Sequence, residues 1–353
     1  MKMKQDAYYD VVSLTSMGLR MSPNDGKLLH MANSFSIQVT SAESNVLTPL
    51  ASLGLMVKVL TKFIKDNPMS HRIKQALRQR GILYDDNDIV QDSPWGLRHQ
   101  INFVEPGVGR KPPVVFNDRA NEVAKTLRID DIDMADLFNH KGVKILHISG
   151  LFLALSEQTA KVTLSLVKQA KASGTKISFD INYRPSFWLD RKKQLQPIFQ
   201  EMVGYSDILF ASVFDCETIL DQRIHKDARS DQTYFKALFK SLMKACPNLS
   251  YIITKERIIE DANHHAFGAY AWRDNQMYHI EPLPITVVDR VGGGDAFTGG
   301  ILYGLLSDMP VHKHLSFAWA MSVLAMSVDT DYVMPLTEQD IWDIWHNNPH
   351  MKR

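Results

Sequence analysis

Two cysteines, Cys216 and Cys246, are all that this chain of 353 residues contains. That is too few for a disulfide framework, and the expectation is reduced thiols in a cytoplasmic protein. The start Met-Lys-Met-Lys-Gln-Asp leads into no apolar signal core. No apolar run reaches the roughly 20 residues that a bilayer crossing needs, so no membrane partner is expected. Charge of one sign is lacking as well, with 40 Lys and Arg against 39 Asp and Glu for a net charge of +1. The basic residues are spread out and form no stripe with aromatics between them, which argues against a nucleic-acid partner. No internal repeat, low-complexity linker or metal-ligand spacing appears, and His147, His264 and His265 read as core or loop residues. No Gly-x-Gly-x-x-Gly follows the first strand, which argues against a dinucleotide-binding dehydrogenase.

What is present is a chain rich enough in apolar residues, at 45%, to bury a large core, as one big α/β domain or as two. Asp10 to Met21 reads as a first strand, followed by a turn at Pro23 to Gly26. A helix runs to Leu53 with a Gly54 stop, then a strand over Met56 to Thr61 and a helix over Met69 to Gln79. Trp95 to Glu105 and Pro113 to Phe116 read as strands joined by a Gly/Pro-rich loop. From Val143 strands and helices alternate: strand 143–148, helix 157–172, strand 176–180, helix 191–203, strand 207–211, helix 234–245 and strand 251–254. Such alternation predicts a mostly parallel sheet with helices on both faces and ligands at the carboxyl ends of its strands. A hairpin over 266–272 and 276–281, and helices over 312–328 and 337–346, complete the chain.

Between an apolar strand-like run, Ile285 to Val288, and an apolar helix, Ala296 to Leu306, stands Asp289-Arg290-Val291-Gly292-Gly293-Gly294-Asp295. Successive glycines let a ligand approach the backbone, and the first N–H groups of a helix have no intrahelical partners. With the helix dipole this makes an anion hole. Asp295 inside it has the chemistry of a base that takes the proton of an attacking hydroxyl. A glycine turn capped by an aspartate that does no chemistry is the alternative.

The wording Asp-Arg-Val-Gly-Gly-Gly-Asp-Ala-Phe resembles the C-terminal signature of ribokinase-like (PfkB family) carbohydrate kinases. Phe179-Asp180-Ile181-Asn182-Tyr183-Arg184 resembles a segment of the 2-keto-3-deoxygluconate kinases within it. The resemblance implies a three-layer α/β sandwich with a small β lid, as one domain over 1–353 with the lid contributed by roughly 18–42 and 95–118. It implies an ATP-dependent kinase using Mg²⁺ carried by the nucleotide. The acceptor would be the primary hydroxyl of a keto-deoxy sugar acid, a small-molecule partner, with homo-oligomerisation through the lid as an option. By the same resemblance Asp295 would be the base and Gly292, Gly293 and Gly294 the anion hole. Arg119, Arg184, Asn102, Asn117, Ser41 and Asn45 would bind the sugar acid, and Lys255, Arg257, Ser212 and Asp331 the nucleotide. Asp215 would reach the metal through water. A solvated charge run is the alternative for Lys255 to Arg257, and a plain helix cap for Ser212.

Several positions depart from the family pattern. Thr15 and Ser16 replace a Gly-Glu, Thr40 and Ser41 replace two glycines, Asn102 and Asn117 replace two lid tyrosines, and Ser212 to Asp215 replaces Asn-x-x-Glu. The lost glycines at Thr40 and Ser41, the altered Ser212 to Asp215, and the segment Val323 to Asp331, which keeps only Asp331 of the family's adenine-side polar residues, support a second reading, a weakly catalytic member that binds a sugar or nucleotide in a regulatory role. The intact turn from Gly292 to Asp295 argues for catalysis.

Overall fold

The computed structural model describes residues 3–91, 93–224 and 232–348. The chain divides into two compact units. One consists of Met1–Leu14, Leu127–Glu256 and Ala269–Ile280, and the other of Thr15–Thr126, Arg257–Gly268 and Glu281–Arg353.

In the first unit the strand Tyr9–Leu14 pairs in parallel with Val143–Ser149, which pairs with Lys176–Asp180, then Ile208–Phe210, then Tyr251–Ile259, all parallel. Helices Glu157–Ala172, Lys192–Tyr205 and Gln232–Ala245 connect them. Strands covered on both faces lose the polar alternation, and Ile145, Leu146, Ile148, Ile177 and Phe179 are accordingly all buried. The hairpin of His264–Arg273 and Gln276–Thr286, whose residues 269–280 belong to this unit, turns at Asp274 and Asn275, both at positive φ, as a two-residue primed turn requires.

In the second unit a small sheet has the order Phe35–Thr40, Gly18–Pro23, Gln100–Glu105, Val114–Asp118. Its outer pairings are antiparallel and its central one parallel. Helices Ala42–Ser52, Gly293–Leu306, Val311–Met326 and Glu338–Trp345 also lie in this unit. Gly300 lets two of them cross closely, since a Cβ there would press on the backbone of Ala318. The strand Val57–Leu60 pairs in parallel with Leu83–Tyr84. No helix of the described residues is long and apolar enough to cross a membrane.

Several elements differ from the sequence reading. The single strand expected over Asp10 to Met21 is two, Tyr9–Leu14 and Gly18–Pro23. The break falls where buried hydroxyls take distant partners: Thr15 Oγ1 donates to Glu43 at 2.7 Å and Ser16 Oγ to Glu122 at 2.6 Å. The strand expected from Trp95 begins only at Gln100, because Pro94 and Trp95 stand in a turn that leaves Trp95 88% exposed. The strand expected over Ile285 to Val288 is the end of Gln276–Thr286, and Tyr251–Ile259 runs five residues past Thr254. Cys216 is buried and Cys246 half-buried, both free thiols.

His147 and His99 are buried, and burial pushes both down to about 4. His147 Nδ1 lies 3.0 Å from Ser178 Oγ, and the His99 ring sits between Ser70 Oγ and the carbonyl of Met17. Each stays neutral in the fold while the unfolded chain takes up a proton near pH 6.5. Their contribution is therefore intact above that value and is lost as pH falls toward 4. Between pH 7 and pH 5 the loss should be roughly 2 kcal/mol for each. Urea midpoints at the two pH values, compared with His99→Gln, check this: the variant should show the smaller drop.

Candidate functional site

The glycine turn lies in the second unit and is built by its flanks. Asp289 Oδ1 accepts from the N–H of Val291 at 2.9 Å and bends the chain into the turn. Gly292 is the helix N-cap at φ 79°. A Cβ there would collide with the carbonyl oxygen of Asp331, so both conformation and space demand glycine. The helix starts at Gly293, which puts Gly294 and Asp295 in its first turn. Asp295 is half-buried, and its Oδ2 accepts from Asn45 Nδ2 at 3.0 Å. Asn45 in turn stands on the Ala42–Ser52 helix, capped by Ser41 Oγ accepting from Ser44 N at 3.0 Å. Two side chains expected to serve ligands are thus engaged locally: Ser41 as that cap, and Asp331, whose Oδ2 accepts from Thr40 Oγ1 at 2.7 Å.

Asp331 and Asp289 also share a residue that the sequence reading passed over. Arg20, 1% exposed, donates through Nη1 to Asp331 and through Nη2 to Asp289. The signal was there in the sequence, since a charged side chain between Leu19 and Met21 in a strand must find a partner when buried.

Across the small sheet Gln38, Arg20, Asn102 and Asn117 stand in register as one polar row. Asn117 is exposed, while Asn102 Oδ1 is buried without a hydrogen-bond partner. Arg119 donates through Nη1 to Glu122 at 2.9 Å, and Glu122 also accepts from Ser16. Burial lowers the Arg119 basicity, with Glu122 and Glu43 opposing. Arg257 stands over the ring of Phe267 at 5.4 Å, and burial together with Arg290 brings it down to about 10. His265 is buried in this unit, whereas His264 is an exposed residue bonded to Asp261.

The remaining candidates belong to the first unit. Asp180, at the carboxyl end of its strand, accepts from Asn182 N at 3.0 Å and from Lys255 Nζ at 3.3 Å. Lys255 is therefore held by a carboxylate and is not a loose surface charge. Arg184 is exposed, with Nη1 donating to the carbonyl of Tyr183 at 2.9 Å. Ser212 and Asp215 form a reciprocal helix cap: Asp215 Oδ2 accepts from the Ser212 N–H and hydroxyl, each at 2.7 Å. The second oxygen, Asp215 Oδ1, is buried without a hydrogen-bond partner, and burial raises the pKa of this carboxyl against the bonds from Ser212. Among the described residues no three His, Cys, Asp or Glu side chains are grouped to hold a metal ion. A single buried acceptor suits a water on an ion that arrives with its own ligands.

The profile of the pfkB family of carbohydrate kinases matches residues 20–335. A 2-dehydro-3-deoxygalactonokinase of Haloferax volcanii is 27% identical over 328 residues, covering 91% of this chain and 92% of that protein. A 2-dehydro-3-deoxygluconokinase of Bacillus subtilis is 27% identical over 307 residues, covering 86% and 85%. The crystal structure of the 2-dehydro-3-deoxygluconokinase of Thermotoga maritima superposes with a TM-score of 0.87 at 26% identity, over 96% of this chain and 99% of that one. With a glycine turn that heads a helix and carries Asp295 inside the matched region, the chain belongs to the pfkB family of carbohydrate kinases, phosphotransferases that act on an alcohol group.

Proposed function

We propose that this sugar kinase transfers the γ-phosphoryl of ATP to the primary hydroxyl of a keto-deoxy sugar acid. The observation that carries the reading is Asp295 in the first turn of a glycine-headed helix, with one oxygen held by Asn45. The acceptor hydroxyl gives its proton to Asp295 as its oxygen bonds to the γ-phosphorus. The bond from that phosphorus to the β-phosphate oxygen breaks, and ADP leaves. Charge that builds up on the transferred group meets the amides and the dipole at the helix head. Mg²⁺ bound with the nucleotide supplies charge neutralisation, and Asp215 Oδ1 is the acceptor this chain offers to a water of that ion. Arg119 and Arg184 are assigned to the acid, and Lys255 and Arg257 to the nucleotide. Relatives named for dehydro-deoxy derivatives of both gluconate and galactonate support the acid class.

ADP release measured with ATP and Mg²⁺ over a panel of aldonic, ketonic and neutral sugars tests the reading. Turnover highest on keto-deoxy acids and weak on neutral sugars is expected. A panel without turnover would favour the regulatory binder instead.

Within that class the polar row of the small sheet sets a preference. Asparagines at 102 and 117, where the resembled kinases carry tyrosines, offer amide groups to substrate hydroxyls. The wild type should therefore prefer an acid other than 2-keto-3-deoxygluconate. Asn102→Tyr with Asn117→Tyr should shift the kcat/KM ratio by about 10-fold toward 2-keto-3-deoxygluconate, the scale of one or two contacts in a closed pocket. A wild type that already prefers that acid, with a double variant that gains nothing, would remove the assignment.

A further inference from the structure

We propose that Arg20 is a positioning residue of the phosphoryl-transfer site, a built-in cation that holds both flanks of the glycine turn and neutralises the two carboxylates beside it. The proposal rests on reading that turn as the site of transfer. Arg20 comes from the Gly18–Pro23 strand of the small sheet, and its Nε donates to Ser22 Oγ at 2.8 Å. Its two terminal nitrogens donate to Asp289 and Asp331.

Each carboxylate shapes the turn directly. Asp289 holds the N–H of Val291, one residue before Gly292, and the Asp331 backbone packs against Gly292. Asp331 also accepts from Thr40 Oγ1. The same hydroxyl lies 3.4 Å from the Asn45 side chain, which donates to Asp295. One guanidinium thus stands at the head of a bonded path that ends on the base.

The charges point the same way. Asp289 and Asp331 are 4% and 3% exposed. Two ionised carboxylates so poorly solvated, next to a turn meant for a phosphate, would repel it strongly. Burial alone would make Arg20 less basic, but Asp331 and Asp289 outweigh it and hold the guanidinium above its ordinary value. A planar fork can bridge two carboxylates at once, whereas a lysine reaches one well. The Arg20 backbone also pairs with Asn102 and Gln38 in the polar row, so the strand that carries the cation adjoins a strand that carries a sugar candidate.

The test compares Arg20→Ala and Arg20→Lys with wild type in three measurements: ATP–Mg²⁺ affinity by calorimetry, kcat on the best acid, and kcat with guanidinium ion added at millimolar concentration. Arg20→Ala should bind ATP about 10-fold more weakly and lose about 10² in kcat, the scale of a lost charge-assisted contact and a displaced base. Guanidinium should restore a large part of that loss and leave wild type unchanged. Arg20→Lys should keep the fold and still fall about 10-fold in kcat. A folded Arg20→Lys with wild-type affinity and kcat would overturn the proposal. So would an Arg20→Ala whose melting temperature drops while its kcat loss ignores guanidinium, because that describes a purely structural ion pair. If Arg20→Ala does not fold, the lysine variant decides. A wild type that binds ATP and turns over no acid sinks the substrate reading alone and leaves the affinity comparison to judge Arg20. A wild type that does neither overturns both.

Discussion

Replacing Asp295 by Asn should lower kcat by about 10² or more, the contribution of a positioned base, and leave the fold and the affinity for ATP nearly unchanged. The fold is spared because asparagine has the shape of aspartate and its amide oxygen can still accept from Asn45 Nδ2, the bond that now holds Oδ2 at 3.0 Å. What disappears is the capacity to take a proton. Steady-state kinetics on the best acid, with a thermal melt to confirm the fold, reads the effect. A variant that turns over at close to the wild-type rate would strip Asp295 of its role and leave the turn as an anion hole only.

If Arg119 and Arg184 hold the substrate carboxylate as proposed, Arg119→Ala and Arg184→Ala should each raise KM for a sugar acid by about 10-fold or more, through loss of a charge-assisted bond, and hardly move KM for ATP. A neutral sugar should lose less. Their stabilities should separate. Arg119 is the partner of Glu122, whose side chain is 0% exposed, so its removal leaves a buried carboxylate and should cost about 3 kcal/mol. Arg184 is exposed and donates to its neighbour's carbonyl, so its loss should fall within about 0.5 kcal/mol. Kinetics on paired acidic and neutral substrates, beside urea melts, distinguish these effects. Equal KM changes for acid and neutral sugar would contradict the assignment to the carboxylate.

The regular part of the fold was legible because its signals are local. Glu157–Ala172 and Lys176–Asp180 occupy the span their periodicity predicts, separated by Gly174 at φ 82°. The break at Thr15 to Met17 was not legible, since it answers to Glu43 and Glu122, which lie 28 and 106 positions away from their partners. Ser41 and Ser212 show how a helix cap and a ligand contact share one residue type. Both hydroxyls cap helices in the structure, and Ser-x-x-Asp at 212–215 already has the spacing of a reciprocal cap. Arg20 was visible only as an oddity, a charge in an apolar strand. Its partners at 289 and 331 follow from tertiary contacts that no window along the chain contains. The glycine turn was legible as a motif, yet the bond from Asn45 to Asp295 joins residues 250 positions apart and needed the fold.

The central claim, transfer of phosphate to the primary hydroxyl of a keto-deoxy sugar acid, is tested most directly by the product. With ATP, Mg²⁺ and the preferred acid, phosphorus-31 spectra recorded beside an ADP assay should show one phosphomonoester formed for each ADP. Its phosphorus should couple to two methylene protons. ADP accompanied only by inorganic phosphate, or a phosphorus coupled to a single methine proton, would contradict the account.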